Sequence, residues 1–428
     1  MTVAEVILWG TKIGTIAFDD NTGLGSFEYD PAFIESGIEI SPIVMPLSRR
    51  VYTFPELARD SFHGLPGLLA DSLPDKFGNA VIDAWLRGQG RSPESFNPVE
   101  RLCYTGVRGM GALEYRPARD PRTAESSSIE IEKLVNLASE ILRSREDMHI
   151  AVNEDAMQEI IKVGTSAGGA RAKAVIAWNE KTGDIRSGQI NAGDGYGYWL
   201  IKFDGVSKNG DKEGDDDPQY TRIEYAYSLM AKAAGIQMEE CRLYEEKGRY
   251  HFMTRRFDRD PVAGGRYHMQ TLGAIAHFDF NQPGIYSYEQ AAEVMRRLRI
   301  SNTEISQFYL RMVFNVFARN QDDHVKNISF LMDRTGRWSL SPAYDVTYAY
   351  NPDGMWTGRH QMSVNGKRDA ITRQDLLVCA KNMGVKKSEA EHMIDEVKSA
   401  LANWAEYAEE ANIRESVARK ISKQFIVI

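Results

Sequence analysis

The sequence predicts an α+β chain of two lobes, strand-rich in its first half and helical in its second. Short apolar runs alternate with turn residues from Val6 to about Tyr115, the pattern of hairpins. From His268 onward helical sequence dominates. The densest run of polar chemistry, Arg319–Asp345, falls between a helical pattern and two strand-like runs.

Composition narrows the class. The chain has 428 residues, enough for two or three domains' worth of core, with 43% hydrophobic and 26% charged residues, ordinary for a soluble globular protein. Its longest apolar runs fall short of the roughly 20 residues a membrane span needs. The N-terminus enters strand-like sequence at Val6-Ile-Leu-Trp9, so no signal peptide is expected. Cys103, Cys241 and Cys379 lie far apart and give neither a disulfide framework nor zinc spacing. A reducing cytoplasm is the expected location, with no membrane partner. A net charge of −8 argues against nucleic-acid binding by the whole surface.

In order, Val6–Trp9 and Ile13–Phe18 read as a hairpin, and Pro31 starts a short helix. Leu65–Leu73 and Ala80–Arg87 read as helices around Leu73-Pro-Asp75, followed by a glycine-rich run, Val107–Ala112. Pro117–Ser128 reads as an exposed linker and Glu130 to about Arg143 as an amphipathic helix. Gly164-Thr-Ser-Ala-Gly-Gly-Ala170, before a Val175–Trp178 strand, suits a loop whose backbone N–H groups approach phosphate oxygens. It matches neither standard nucleotide motif, and a flexible surface turn reads equally well. Gly197–Phe203 is a strand carrying Lys202, either a solvated edge lysine or a phosphate ligand. Ser207–Pro218 reads as an acidic mobile loop and Tyr220–Ala234 as a helix. Glu224, in that helix's first turn, either answers its dipole or pairs with Lys202. Cys241–Tyr244 and Tyr250–Thr254 read as a hairpin. The later helices are expected at Gln270–Ala276, Tyr288–Leu298, Ile305–Phe317, Arg373–Asn382, Lys387–Ala408 and Ile413–Phe425.

The site candidates lie after the Ile305–Phe317 helix. Asp322, Asp323, His324, Lys326 and Asn327 sit between it and a hairpin, Ile328–Met332 and Trp338–Leu340, turned by Asp333–Arg337. Asp345 follows the second strand, so Asn327 and Asp345 are expected at one end of the hairpin with Asp322 nearby. Two oxygen ligands suit Mg²⁺, and a further carboxylate could orient or deprotonate a hydroxyl nucleophile. Protein kinases divide the work in this way.

Asn320-Gln-Asp-Asp-His-Val-Lys-Asn327-Ile-Ser329 followed by Ser341-Pro-Ala-Tyr-Asp345 resembles the signature of the HipA family of toxin Ser/Thr kinases. Ser72–Asn79 and Val107–Ala112 resemble that family's N-terminal subdomain. The resemblance implies a two-lobed protein-kinase-like fold with an all-α C-terminal lobe. Its expected parts are an N-terminal subdomain (1–116), a linker and connecting helix (117–150), a kinase N-lobe (151–257) and a C-lobe (258–428). It implies phosphoryl transfer from ATP with Mg²⁺ on Asn327 and Asp345, and Asp322, His324 and Lys326 as the catalytic set. Gly164, Thr165, Ser166, Ala167, Gly168, Gly169, Ala170, Lys173 and Lys202 would hold phosphates, backbone around Arg255 and Phe257 the adenine, and Ser166 would be the autophosphorylation site. Implied partners are a HipB-like helix-turn-helix antitoxin, operator DNA through that antitoxin, and a translation-related substrate such as an aminoacyl-tRNA synthetase. The rival readings are a co-repressor module with little kinase activity and a metal-dependent hydrolase built on Asp322, Asp323, His324 and Asp345.

Overall fold

The computed structural model describes residues 1–118, 128–144, 171–189, 191–206, 219–259, 265–426 and 428. They form two compact units. The first comprises Met1–Ser41, Met45–Pro218 and Tyr244–Met269; the second comprises Pro42–Val44, Gln219–Leu243 and Gln270–Ile428.

The first unit opens with an antiparallel sheet of β1 (Thr2–Leu8), β2 (Thr11–Asp19), β3 (Leu24–Tyr29) and β4 (Leu113–Arg116), in the order β3-β2-β1-β4. Leu8 pairs with Thr11, which leaves Trp9 and Gly10 as a two-residue turn with both φ angles positive, at 51° and 85°. That is the twist-compatible turn for a hairpin. Tryptophan is an unusual occupant, and its Nε1 donates to the Arg266 carbonyl at 2.7 Å.

Helices α1 (Pro31–Ile34), α2 (Arg59–Phe62), α3 (Gly67–Ala70), α4 (Lys76–Gly88) and α5 (Pro98–Thr105) follow β3. The α4 N-cap is Asp75, whose Oδ1 accepts from Gly78 N at 2.6 Å. Asn97 and Glu100 form a capping box on α5, with Pro98 at its first position. The Val107–Ala112 run is a cradle, its carbonyls at Val107, Gly109 and Gly111 each accepting from Arg266.

A second sheet has the order β6-β5-β7-β9-β8, with β5 (Lys173–Trp178), β6 (Ile185–Ser187), β7 (Gly197–Lys202), β8 (Cys241–Glu246) and β9 (Arg249–Arg255). Helix α6 (Ile131–Ser144) packs with it. One core runs through Phe77, Ile82 and Leu86 of α4, Leu134 and Ile141 of α6, and Ile176, Trp199 and Ile201 of the sheet. The N-terminal segment and the lysine-bearing sheet are therefore parts of one packed body.

The second unit is mainly helical: α7 (Tyr220–Ala233), α8 (Leu272–Ala276), α9 (Tyr288–Arg297), α10 (Asn302–Phe317), α11 (Arg373–Asn382), α12 (Lys387–Ala402), α13 (Trp404–Glu410) and α14 (Glu415–Ser422). The short strand β10 (His268–Thr271) precedes α8, and the hairpin β11 (Ser329–Met332) and β12 (Trp338–Leu340) interrupts the helices. Ser301 and Glu304 cap α10, and Glu304 Oε1 also accepts from Leu340 N at 2.8 Å, fixing β12 to the helix start.

Several helix boundaries differ from expectation, in the first unit at Leu65–Leu73, which is helical only over Gly67–Ala70, and at Ala80–Arg87, which begins at Lys76. Gln270 and Thr271 are extended, because Thr271 caps α8 by accepting from Ala274 N. The helix expected over 387–408 is broken at Asn403, and Trp404 packs edge-on against Tyr227 and Phe425, with centroids 5.4 and 5.6 Å apart. The last helix is shorter than Ile413–Phe425, with Asn412 in the left-handed region before it.

Leu134 lies wholly inside the core shared by α4, α6 and the sheet. Leu134→Ala should cost about 2–5 kcal/mol, read as a lower denaturant midpoint with little change in slope.

Candidate functional site

Helix α10 ends at Phe317, and Tyr227 Oη takes up the carbonyl of Ala318 at 2.6 Å. Arg319 then turns the chain with a φ of 58°. From Gln321 to Ile328 the backbone follows no helix or strand, and its hydrogen bonds go to other backbone segments and to side chains.

Asp322 and Asp323 face opposite environments. The Asp322 side chain is 49% exposed, whereas that of Asp323 is 1% exposed. Asp323 Oδ2 accepts from Tyr288 Oη at 2.7 Å and from His360 Nδ1 at 2.9 Å, and its Oδ1 from Gln361 N at 2.7 Å. Tyr288 Oη in turn accepts from Asn315 Nδ2 (3.0 Å), and Asn315 Oδ1 from Asn320 Nδ2 (2.9 Å). Burial works against ionisation of Asp323, but the His360 ring, the Tyr288 hydroxyl and the Gln361 amide outweigh it and hold the carboxyl below its usual range. Asp323 is therefore buried and hydrogen-bonded, not solvated.

The turn is closed from within. Asn327 Nδ2 donates to the Asp322 carbonyl at 2.8 Å, and Asn327 N to the His324 carbonyl at 2.9 Å. His324 Nδ1 accepts from Lys326 N at 3.2 Å, which leaves Nε2 on the Asp322 side, 3.8 Å from Oδ1. Lys326 Nζ lies 4.3 Å from the centroid of Phe280, a cation–π contact. With its amide nitrogen committed to Asp322, Asn327 has its amide oxygen left to serve as a ligand.

Asp345 is tied to this turn through its neighbour. Tyr344 Oη donates to the Lys326 carbonyl at 2.7 Å and accepts from Ser329 Oγ at 2.5 Å. Arg311 Nη2 donates to the Ser341 carbonyl (2.7 Å), and Ala343 N to Gln237 O (2.8 Å). Asp345 has a φ of 57°, an uncommon conformation of the kind that clusters at ligand sites. The amide oxygen of Asn327 and the carboxylate of Asp345 are hard oxygen donors, the chemistry Mg²⁺ takes. Among the described residues no group of three or more His, Cys, Asp or Glu side chains is placed to hold a metal ion.

The other candidates lie in the first unit. Lys173 and Lys202 are directly opposed across β5 and β7, so both side chains leave the same face of the sheet. Lys173 Nζ is 3.4 Å from Asp75 Oδ2, with both side chains 3% exposed. Burial pushes the Asp75 carboxyl up, against the pull of the Lys173 ammonium and the Gly78 N–H. Lys202 Nζ lies 5.9 Å from the Phe252 ring centroid. Arg256 N is taken by the Tyr198 carbonyl at 2.9 Å, so an adenine edge would have to be met by Arg255 and Phe257. The Arg256 guanidinium grips Asp258 through Nε–Oδ1 (2.8 Å) and Nη2–Oδ2 (2.6 Å), and Gly111 N also donates to Asp258. Gly164–Ala170, including Ser166, lie outside the described residues.

Sequence reasoning missed Asp75, Tyr288, His360 and the tether on Tyr344. Tyr344 and Asp75 both sit inside motifs visible in the sequence, Ser341–Asp345 and Ser72–Asn79, but nothing local signals Tyr288 or His360.

Comparison with known proteins identifies the class. The HipA N-terminal domain family matches residues 4–116 and the HipA-like C-terminal domain family residues 165–405. The HipA of Shewanella oneidensis, solved with HipB and its operator DNA, has a TM-score of 0.67 and 17% identity, covering 98% of this chain and 95% of that one. Two Sinorhizobium fredii proteins named as candidate kinases are also similar. Y4dM is 25% identical across 42% of this chain, and Y4mE is 28% identical across 32%. The matched segments span less than half of those relatives, 44% and 34%. The chain is an α+β protein with the kinase-like fold expected from its sequence. It belongs to the HipA family. No helix among the described residues is long and apolar enough to cross a membrane.

Asp323→Asn keeps the shape but removes the charge that His360, Tyr288 and Gln361 surround. The variant should lose about 1–3 kcal/mol near neutral pH. Because the folded-state carboxyl is held down, this contribution is present above its ordinary value of about 3.9 and is lost as pH falls through the folded value. Wild-type and variant unfolding curves, measured across pH, should therefore converge in acid.

Proposed function

We propose that the chain is an ATP-dependent serine/threonine protein kinase and the toxin of a HipA/HipB-type pair. The observation that carries this reading is the tethered turn: Asn327 bound to the Asp322 carbonyl, and Tyr344, beside Asp345, bound to the Lys326 carbonyl. The turn carries a half-exposed carboxylate, Asp322, and two residues with oxygen donors, Asn327 and Asp345, the groups that transfer to a hydroxyl would use. Asp322 orients the acceptor hydroxyl and takes its proton, while Asn327 and Asp345 hold Mg²⁺. Mg²⁺ held by these two residues would supply positive charge to offset that of the phosphates. Lys202, Lys173 and the Gly164–Ala170 loop hold the phosphates, and His324 and Lys326 keep the turn in shape. Phosphorylation of Ser166 would put close to two negative charges where ATP phosphates bind, and so switch the enzyme off.

The acceptor is a protein of the translation machinery, such as an aminoacyl-tRNA synthetase. The partner is a HipB-like antitoxin, through which the chain reaches operator DNA. The Shewanella assembly, which holds HipA, HipB and operator DNA together, favours a second role as co-repressor.

Asp322→Ala separates the two roles. With labelled ATP and cell lysate, it should lower phosphate incorporation about 10²–10⁴-fold, the range for losing a positioned base, while antitoxin binding persists. A pure binding module would show no labelling in the wild type and no change in the variant. Asp345→Asn should shift the Mg²⁺ requirement of the same labelling to higher concentration.

A further inference from the structure

The Ser72–Asn79 stretch has no role in the chemistry above, yet its Asp75 is among the most buried carboxylates of the first unit. Its Oδ1 is held by Gly78 N as the cap of α4, and its Oδ2 lies 3.4 Å from Lys173 Nζ. Lys173 belongs to the sheet, directly across from Lys202, and α4 shares its core with β5 and β7 through Phe77, Ile82, Ile176 and Ile201. Two lysines issuing from opposed positions on one sheet face repel each other. Both are buried, at 3% and 5% exposure, where a charged group is costly unless paired. The positive end of the α4 dipole points the same way. A carboxyl group fixed at this point by the α4 cap holds the Lys173 side chain in place.

We infer that Asp75 is a positioning residue for nucleotide binding: the N-terminal domain supplies the carboxyl group that holds the Lys173 side chain aligned beside Lys202. The inference rests on the kinase reading, in which Lys173 meets phosphate. It gives the N-terminal domain a part in the phosphate site. Asp75 itself touches no nucleotide and acts through Lys173.

Asp75→Asn isolates the carboxyl group, because asparagine caps a helix as well as aspartate does. Asp75→Ser is a second uncharged cap of different shape. Titrating the full-length chain with Mg²⁺ and the non-hydrolysable analogue AMP-PNP by calorimetry, each variant should bind about tenfold more weakly than wild type. With ATP as substrate, KM should rise while kcat at saturation changes less than twofold. In a Lys173→Met background, Asp75→Asn should add no further loss, since its effect passes through that lysine. Wild-type affinity in Asp75→Asn, tighter binding, or a loss that adds fully to that of Lys173→Met would each overturn the inference. So would failure of both Asp75 variants to fold while Lys173→Met folds, because the carboxylate would then be a structural cap. Absence of AMP-PNP binding by the wild type would overturn the nucleotide reading itself, a result distinct from equal binding by wild type and variant.

Discussion

The buried carboxylate of Asp323 is the constraint on which the candidate site depends. A charge placed there is tolerable only if several donors surround it, and Tyr288, His360 and Gln361 provide them from α9 and from the segment after the hairpin. Once Asp323 is fixed inward, Asp322 must leave the backbone on the other side, towards solvent. The same fixation sets the start of the turn that Asn327 closes on the Asp322 carbonyl. One adjacent pair of like residues thus splits into an anchor and an exposed acid, and the division is made by what surrounds each.

Secondary structure around the site was largely legible. The apolar period of α10 and the Asp333–Arg337 turn mark the helix and hairpin, and Arg373–Asn382 is a helix as expected. The residue types that could carry chemistry were visible for the same reason: they are polar residues crowded between two apolar elements. The roles of Asp322 and Asp323 were not, because the partners that distinguish them lie 35 to 38 residues away. Chain pattern reports which face of an element is apolar. It does not report which distant donor will meet a given carboxylate.

The first unit shows the same limit with the opposite charge. Lys202 was recognisable as a cation on strand sequence and Lys173 as one beside the glycine-rich stretch, and the pairing of β5 with β7 brings them to one face. That Lys173 meets a carboxylate before any phosphate could not be read locally, since Asp75 belongs to a separate part of the chain. The glycine-rich Val107–Ala112 run reads as a set of turns, whereas its carbonyls at Val107, Gly109 and Gly111 converge on the Arg266 guanidinium. Glycine suits this use, because at Gly111 a Cβ would meet Met269 N at 2.9 Å.

Two family domains match this chain, at residues 4–116 and 165–405, but the packing does not divide at the gap between them. Phe77, Ile82 and Leu86 come from the N-terminal match, and Trp199 and Ile201 from the C-terminal one, yet they form a single core. Removing the N-terminal part would strip apolar cover from the strands that carry Lys173 and Lys202. It would also remove Asp75 and the Arg266 cradle together. Apolar burial holds the N-terminal part to the sheet, while the polar contacts, being directional, determine how the sheet's charged groups are aligned. The N-terminal part therefore contributes both apolar cover to the sheet and the carboxyl group that meets Lys173.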